Sequence, residues 1–455
     1  MRVINPATGD VLRDVAESGR PAIAAACRSA RAAQPAWAAT PLAARCKAIR
    51  RFRALVVERA EPLARTLALE VGKPIAQARR ELAGVLPRVE FFLAEVGGVL
   101  ADEVVGAADG LEERIEREPL GVVANVSAWN YPWFVAANVF LPALLTGNAV
   151  VYKPSEFATL TGLTIAELVH EAGVPADCFQ TVVGGGDVGA MLVEERVDAV
   201  CFTGSHATGV KVAAAVAPRL LRLQLELGGK DPVYVCDDVD VGAAAAAVAD
   251  GAFYNAGQSC CAVERIYVHD RIWDRFVAAF VDTVRGYVIG DPFDEQTYIG
   301  PLARRDAALA HLDAQVADAL GRGARALTGG RRVARPGFFF APTVLVDVDH
   351  TMAVMREETF GPLIGLAPVA SDDAAVALMN DTAYGLTAAV YANERRRAER
   401  LLAGVNAGSA YWNCCDRVSP RLPWTGRGDS GLGVTLSRDG IAAFVRPKAW
   451  HLRGA

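Results

Sequence analysis

The spacing of apolar residues predicts helices over the first hundred residues. In the segment 42–60, apolar residues recur every three or four positions, which is the period of an amphipathic helix. Pro74 and Pro87 interrupt the pattern that follows, so we expect helix boundaries near both prolines. Residues 21–100 are therefore predicted to form a series of helices.

Short runs of β-branched residues begin near residue 121 and alternate with stretches long enough for helices. This alternation predicts βαβ units and mostly parallel, doubly wound sheets. A second series starts near residue 230, so two α/β lobes are expected. The predicted strands are 122–126, 149–152, 181–183, 198–202 and 222–227 in the first series and 233–235, 265–268, 343–346 and 387–392 in the second.

Two segments fit neither lobe. Residues 102–118 are polar and partly alternating, which predicts an exposed hairpin, whereas residues 441–450 form an apolar tail. The tail is expected to pair with another element, for example the hairpin of a partner subunit. Because neither segment has an obvious partner within one lobe, we expect a homo-oligomer.

Composition and charge exclude several classes of protein. The 455 residues are 52% hydrophobic and 22% charged, which suits a chain with large cores and not a disordered one. The net charge of −5 and the even spread of basic residues indicate no nucleic-acid partner. No apolar stretch reaches the ~20 residues of a membrane helix, and residues 1–10 lack signal-peptide features. We expect a cytoplasmic protein with no membrane partner.

Nine cysteines, with no CxxC pair, fit neither a disulfide framework nor a zinc site, so no metal is expected. Cys260 lies among small and polar residues and is either a buried structural thiol or a catalytic one. Glu226 ends an apolar strand and precedes two glycines. It is either a satisfied strand-end carboxylate or a general base of raised pKa.

Two glycine-containing turns are candidates for a phosphate site. The segment 184–189 matches GxGxxG but lacks the acidic residue expected about 20 positions later. The segment 204–209 follows a predicted strand and leaves backbone N–H groups free for an anion. It has no GK[ST] ending, which disfavours nucleotide hydrolysis. The residues alone do not decide which of the two turns would bind the phosphate.

Nine motifs in order along the chain resemble those of the aldehyde dehydrogenase superfamily, in its NAD-dependent, hydrolytic (non-acylating) branch. The spacing between Glu226 and Cys260 is also that of the family. The motifs are NPATG (5–9), WNYP (129–132), KPSE (153–156), FTGS (202–205), ELGGK (226–230), NAGQSC (255–260), EETFGP (357–362), NDTAYGL (380–386) and SGLG (430–433).

The resemblance implies the fold and its division into domains. It implies two doubly wound α/β lobes, a Rossmann-like cofactor lobe and a catalytic lobe, with a small oligomerisation β-arm. The cofactor lobe would comprise residues 1–101 and 120–227, and the catalytic lobe residues 228–429. The arm and the C-terminal tail would comprise residues 102–119 and 430–455. A homodimer or homotetramer is expected.

The resemblance also implies the chemistry. Cys260 would be the nucleophile, with Cys261 as its non-essential neighbour, and it would pass from a thiohemiacetal to a thioester as hydride leaves. The Asn130 side chain and the Cys260 backbone N–H would hold the developing oxyanion. Glu226 would activate the water that hydrolyses the thioester, and its presence argues against a CoA-acylating enzyme.

NAD is the cofactor that the resemblance implies. A carboxylate at Glu156 would accept hydrogen bonds from the adenosine ribose and repel a 2′-phosphate, so NAD is preferred over NADP. The second glycine turn would hold the pyrophosphate, and Glu358 and Phe360 would lie at the nicotinamide ribose. The implied cofactor residues are Trp129, Lys153, Ser155, Glu156, Gly186, Gly204, Ser205, Gly209, Glu358 and Phe360.

The aldehyde itself is the least determined feature. An apolar, partly aromatic tunnel wall favours an apolar or aromatic aldehyde. Arg417 and Arg421 could instead pair with the carboxylate of a semialdehyde such as succinic semialdehyde, although Tyr254 stands where such enzymes tend to have arginine. The implied tunnel residues are Tyr131, Phe134, Val135, Tyr254, Cys261, Arg417, Val418 and Trp424. A third hypothesis is a structural or binding protein that has the same fold and no catalytic activity. The presence of Cys260, Glu226 and Asn130 argues against it.

Overall fold

A computed structural model describes residues 1–108 and 110–454 as an α/β protein. Among these residues, no helix combines the length and the apolar character needed to cross a membrane. The helices are α1 (Arg20–Ala39), α2 (Leu42–Glu58), α3 (Ala60–Val71), α4 (Ile75–Leu100), α5 (Pro132–Leu145), α6 (Thr159–Glu171), α7 (Gly186–Glu194), α8 (His206–Val216), α9 (Val241–Phe253), α10 (Trp273–Arg285), α11 (Asp306–Gly321), α12 (Ala353–Arg356), α13 (Asp372–Asn380), α14 (Arg395–Ala403) and α15 (Ser437–Ala442).

The strands form two large sheets, a three-stranded sheet and two small pairs. The strands are β1 (Arg2–Ile4), β2 (Val11–Asp14), β3 (Glu103–Ala108), β4 (Leu111–Pro119), β5 (Val122–Val126), β6 (Ala149–Lys153), β7 (Phe179–Thr181), β8 (Ala199–Thr203), β9 (Arg222–Glu226), β10 (Pro232–Val235), β11 (Arg265–His269), β12 (Arg325–Thr328), β13 (Thr343–Val346), β14 (Leu363–Val369), β15 (Tyr384–Gly385), β16 (Thr387–Tyr391), β17 (Ser409–Trp412), β18 (Arg427–Gly428), β19 (Gly431–Leu432) and β20 (Val445–Arg453).

The first large sheet has the strand order β19-β9-β8-β5-β6-β7, and every pair except β19 with β9 is parallel. Strands β5 and β6 are buried along their whole length. The chain leaves β5 towards β6 on one side and later returns to β8 on the other, which makes a topological switch point. Ligands bind at such points, beyond the carboxyl ends of the strands.

The second large sheet has the order β12-β13-β14-β11-β10-β16-β17 and is parallel except for the edge pair of β12 with β13. Each sheet has its own hydrophobic core. The predicted fold class, with two doubly wound α/β lobes, is confirmed. The pattern missed β12, β14 and β17, since β12 is a partly exposed edge strand, β14 contains glycine and proline, and β17 is only partly buried.

The third sheet joins the two segments that fitted neither lobe. Strand β20 pairs antiparallel with β4 along its whole length, and β4 pairs with β3. The tail therefore pairs with the hairpin of its own chain, which corrects the expectation of a partner subunit's hairpin. Asp109 and Ala455, which belong to the predicted arm and tail, lie outside the described residues.

Two predicted boundaries are wrong. Helix α4 continues through Pro87, because Val85, Val89 and Phe92 around the proline are all fully buried and packing holds the helix together. Strand β7 ends at Thr181, where a strand over 181–183 was expected, since the glycine turn that starts α7 follows directly. Both errors are local and leave the topology unchanged.

Candidate active site

Three segments that carry predicted catalytic residues come together in the structure. Asn130 follows β5, Glu226 ends β9, and Cys260 comes from a turn after α9 in the second lobe. Asn255 Nδ2, in the turn that leads to Cys260, donates to the backbone oxygen of Asn130 at 3.2 Å. A Cβ on Gly229, three residues after Glu226, would lie 3.1 Å from the backbone oxygen of Cys260. The structure thus brings the three predicted catalytic residues together.

The turn before Cys260 has an uncommon backbone. Asn255, Ala256 and Gly257 have φ values of 54°, 56° and 70°, in the left-handed region. For Ala256 this conformation costs on the order of 1 kcal/mol. Gln77 Oε1 holds the turn by accepting from the Asn255 backbone N–H at 3.0 Å, and a Cβ on Gly257 would lie 2.2 Å from the Gly361 oxygen. The surrounding residues therefore fix the direction in which Cys260 is presented.

Two hydrogen-bond donors near Cys260 are free to bind an oxyanion. Neither the Asn130 side-chain amide nor the Cys260 backbone N–H donates to any residue in the described parts of the chain. Asn130 is nevertheless buried, with 4% of its surface exposed. Unpaired donors on a largely buried turn suit the stabilisation of charge that develops on a carbonyl oxygen.

A buried ion pair that the motifs did not predict supports the Asn130 loop. The Lys73 ammonium contacts the Glu81 carboxylate, and both side chains are almost fully buried. Lys73 Nζ also donates to the Asn130 backbone oxygen at 2.8 Å, while Glu81 Oε1 accepts from the Trp133 backbone N–H at 3.0 Å. Lys73 precedes helix α4 and Glu81 lies within it, so no local sequence pattern identified the pair.

We expect Lys73→Met to lower both stability and turnover. The change leaves the Glu81 carboxylate buried without its partner, which typically costs about 3 to 5 kcal/mol in unfolding free energy. Denaturant unfolding measures the stability loss, and steady-state kinetics measures the effect of an unsupported Asn130 loop.

The control for this change is the double variant Lys73→Met/Glu81→Gln. The amide removes the stranded charge and still offers an oxygen to the Trp133 N–H. Stability should largely return in the double variant while kcat stays low. Full recovery of kcat would show that Lys73 does not position Asn130.

Glu226 has the environment of a general base. Its Oε1 accepts hydrogen bonds from the Thr435 hydroxyl and from Gln224 Nε2, the second at 3.2 Å. Burial raises the Glu226 pKa to about 7, although the Thr435 hydrogen bond and the Arg88 charge oppose the shift. A carboxylate with this pKa can accept a proton from water near neutral pH. No motif pointed to Thr435.

Cys261 differs sharply from its neighbour. It is buried, and its contact with the Cys260 thiol together with burial raises its pKa far above the ordinary value. Its Sγ donates to Asp416 Oδ1 at 2.9 Å, and Ser259 Oγ donates to the same oxygen at 3.1 Å. Cys261 is therefore held as a buried thiol, whereas Cys260 is only partly buried. Asp416 is a further residue that the sequence analysis did not select.

The predicted tunnel residues fall into two groups. Tyr131 and Phe134 are half-buried and stack with ring centroids 5.8 Å apart, and Val135, Trp424, Tyr254 and Val418 are likewise at least half-buried. The two arginines differ, because both Arg417 and Arg421 are exposed. Arg417 pairs with Asp250 at 3.8 Å, so its charge is directed outwards.

The start of helix α8 suits a diphosphate. Ser205 precedes the helix, and the backbone N–H groups of His206 and Ala207 donate to no residue in the described ranges. Gly204 and Gly209 flank them, and a Cβ on Gly209 would come within 2.6 Å of Leu227. A helix N-terminus with free N–H groups attracts anions. Gly186, from the other glycine turn, lies at the start of α7.

Two further groups contain predicted cofactor residues. Lys153 is buried at the end of β6, and Glu156 accepts from Ser155 Oγ at 3.2 Å. In the second group, the Trp129 and Phe360 rings meet edge to face at 5.5 Å. The structure thus brings the two aromatic cofactor candidates into contact.

Glu358 approaches the backbone of the two glycines that follow Glu226. Its Oε1 accepts from the Gly229 N–H at 3.2 Å, and burial raises its pKa to about 8. A Cβ on Gly228 would lie 2.2 Å from the same carboxylate, so only glycine permits this approach.

Comparison with known proteins identifies the family of the chain. The model of the aldehyde dehydrogenase family matches residues 1–450. The peroxisomal aminoaldehyde dehydrogenase 2 of Malus domestica is 34% identical over 458 residues, covering 98% of this chain and 91% of that protein. The structure of an E. coli NADP-dependent enzyme superposes with a TM-score of 0.97 and 35% identity, covering 100% of this chain and 94% of that one. An NAD-dependent aldehyde dehydrogenase from Sinorhizobium meliloti gives a TM-score of 0.96 and 34% identity, covering 99% and 91%. The chain belongs to the aldehyde dehydrogenase family.

Proposed function

We propose that the protein oxidises an aldehyde to the carboxylic acid with NAD and then hydrolyses the enzyme-bound thioester. The observation that carries this proposal is the half-buried Glu226, whose pKa of about 7 suits a base, close to the turn that presents Cys260. NADH absorbance with a panel of aldehydes tests it. A protein that forms no NADH with any of them would instead be the catalytically silent alternative.

The first half of the reaction takes place at Cys260. Its thiolate attacks the carbonyl carbon, a C–S bond forms, and the carbonyl electron pair moves to oxygen. The Asn130 amide and the Cys260 backbone N–H donate to that oxygen. NAD, when bound, supplies the acceptor for the hydride that leaves the former carbonyl carbon, and a thioester remains on Cys260.

The second half depends on Glu226. Its carboxylate accepts a proton from water while the water oxygen attacks the thioester carbon, and the C–S bond then breaks. The net change converts aldehyde, NAD⁺ and water into carboxylate, NADH and two protons. Hydrolysis of the thioester by water needs no CoA, and the Glu226 carboxylate provides the base that this hydrolysis requires.

NAD is the proposed cofactor, and Glu156 is the residue that would select it. We expect kcat/KM to be higher with NAD than with NADP, because a carboxylate at the adenosine ribose repels a 2′-phosphate. Glu156→Gln should narrow the difference between the two cofactors. Comparison of kcat/KM with NAD and NADP in both proteins measures it. A wild-type preference for NADP would refute the role given to Glu156.

The arrangement of domains and subunits is also part of the proposal. Residues 1–101 and 120–227 would bind the cofactor, residues 228–429 would supply the nucleophile, and residues 102–119 and 430–455 would form the arm and tail.

We expect a homodimer or homotetramer, because both outer edges of the three-stranded sheet are free to pair in the described chain. The proposed location of this oligomer is the cytoplasm. Light scattering at micromolar concentration should show an oligomer, and a monomer would contradict the prediction.

The tunnel wall of Tyr131, Phe134 and Val135 favours an aldehyde with an apolar body, since burying apolar surface contributes about 25 cal/mol per Å². A semialdehyde gains less support, because Arg417 points to solvent and pairs with Asp250. Measurement of kcat/KM for benzaldehyde, hexanal and succinic semialdehyde compares the two substrate classes. A preference for the semialdehyde that Arg417→Ala abolishes would reverse this choice.

A further inference from the structure

A second buried ion pair joins three segments that carry proposed functional residues. Lys230 lies four residues after Glu226, the proposed base, and Glu264 lies four residues after the nucleophile Cys260. Both charged side chains are almost fully buried, and Lys230 Nζ donates to Glu264 Oε2 at 2.6 Å. Lys230 Nζ also donates to Thr359 Oγ1 at 3.0 Å. The pair therefore connects the segment of the base, the segment of the nucleophile and a third segment around Thr359.

The Glu264 carboxylate holds the backbone of this third segment, the loop 357–360. Its Oε2 accepts from the Thr359 N–H at 2.9 Å, and its Oε1 accepts from the Phe360 N–H at 3.1 Å. Two successive N–H groups that converge on one carboxylate form a concave anion site in the backbone. Phe360 has a φ of 49°, in the left-handed region, which is unfavourable for a bulky residue. The two hydrogen bonds to Glu264 compensate for this conformation.

The two neighbours of Thr359 are the residues for which a cofactor role is implied. Glu358 Oε1 accepts from the Gly229 N–H at 3.2 Å, and the Phe360 ring meets the Trp129 ring at 5.5 Å. The Thr359 N–H belongs to the planar peptide group that begins at Glu358, and the Phe360 N–H belongs to the next one. A carboxylate that fixes both peptide planes therefore fixes where the two side chains start.

A contribution to stability alone does not explain a carboxylate at position 264. Buried ion pairs can often be replaced by apolar side chains of similar volume without loss of stability. An apolar side chain, however, offers no acceptor to the Thr359 and Phe360 N–H groups. No other residue in the described parts of the chain accepts from these two groups. The conformation of the loop therefore depends on Glu264.

We propose that Glu264 is a positioning residue, which holds Glu358 and Phe360 in place for the nicotinamide end of NAD. Because Glu264 lies on the same segment as Cys260, it also sets the separation between the hydride acceptor and the nucleophile. A misplacement of about 1 Å can lower a rate by about 10²-fold. The inference rests on the oxidation proposed above and adds a residue that lies outside its reaction centre.

The experiment compares two double variants that differ in one hydrogen-bond acceptor. Lys230→Met/Glu264→Gln and Lys230→Met/Glu264→Leu both remove the two charges, and glutamine and leucine are similar in size. The glutamine oxygen still accepts from the Thr359 and Phe360 N–H groups, whereas leucine cannot. Neither variant leaves a buried charge unpaired, so we expect both to fold, and circular dichroism and thermal unfolding check this.

The leucine variant should bind NAD about tenfold more weakly by calorimetry, because the loop loses its hydrogen bonds. Its single-turnover rate of NADH formation with benzaldehyde should fall by roughly 10²-fold, and the glutamine variant should stay close to the wild type. Deuterium at the formyl carbon should slow the leucine variant further, because hydride transfer limits its rate. Alkylation of Cys260 by iodoacetamide without NAD should be equally fast in both variants, since that reaction does not involve the loop.

Glu264→Asp provides a second test if the leucine variant does not fold. The shorter side chain keeps the charge beside Lys230 and withdraws the carboxylate from the loop, so NAD binding and single-turnover rate should both fall. Wild-type values in Glu264→Asp would overturn the inference.

Equal Kd values and equal single-turnover rates in the two double variants would show that Glu264 only fills the core, which overturns the inference. Slower alkylation of Cys260 in the leucine variant alone also overturns it, because the nucleophile turn itself would then be displaced. If the wild type forms no NADH with any aldehyde, the proposed oxidation fails. Calorimetry with NAD then decides the role of Glu264, and equal affinities in the two double variants refute it.

Discussion

Replacement of Cys260 by alanine is expected to abolish aldehyde oxidation, with a fall of roughly 10⁴-fold or more, because no thiolate remains to form the C–S bond. The measurement is the rate of NADH formation with a saturating aldehyde. Binding of NAD by Cys260→Ala, followed by calorimetry, should be retained, since the start of helix α8 is untouched. Retained binding would show that the loss concerns chemistry and not folding.

Cys261→Ala is the matched control for this variant, since the two thiols are adjacent in the chain. The Cys261 thiol is buried and donates to Asp416, and its raised pKa keeps it protonated. We expect Cys261→Ala to retain most of the activity. If Cys261→Ala were inactive and Cys260→Ala active, the assignment of the nucleophile would be wrong by one residue.

The residues that we propose for the chemistry could be predicted from the sequence because each lies in a short motif with a typical composition. Cys260 follows a glycine-containing turn, Glu226 ends an apolar strand before two glycines, and Asn130 follows another strand. Such local patterns predict where a residue lies in a βαβ unit. The parallel topology then brings the carboxyl ends of strands together, so the approximate site follows from strand order.

The residues that tune the site were missed because they come from distant elements. Thr435 donates to Glu226 across 209 residues of sequence, and Asp416 reaches Cys261 across 155. No local pattern links such pairs, and a threonine or an aspartate in a loop has no distinctive composition. Lys73 is similar, since a lysine before a proline gives no sign of pairing with a glutamate two turns along the next helix.

The C-terminal tail shows the same limit for the fold. Its apolar character predicted that it pairs with another element, and β20 does pair with β4. Composition could not decide which copy of the hairpin is used, because the same strands complement each other within one chain or between two. The register, in which Lys448 bonds to Glu118 across 330 residues, is a property of the folded chain alone.

Glu226→Gln is expected to separate oxidation from hydrolysis. An amide cannot take a proton from water, so the steady-state rate should fall by roughly 10² to 10⁴-fold. Thioester formation does not require this base, so a burst of NADH close to the number of active sites should precede the slow phase in rapid-mixing experiments.

The pH dependence of the wild type provides the second test of Glu226. Burial places its pKa at about 7, and only the ionised carboxylate accepts a proton. The rate of hydrolysis should therefore be constant well above pH 7 and fall about tenfold per unit below it. In Glu226→Gln the rate of the slow phase should no longer fall below pH 7, because the titrating group is gone. If the variant keeps the full steady-state rate and its rate still falls below pH 7, another group activates the water.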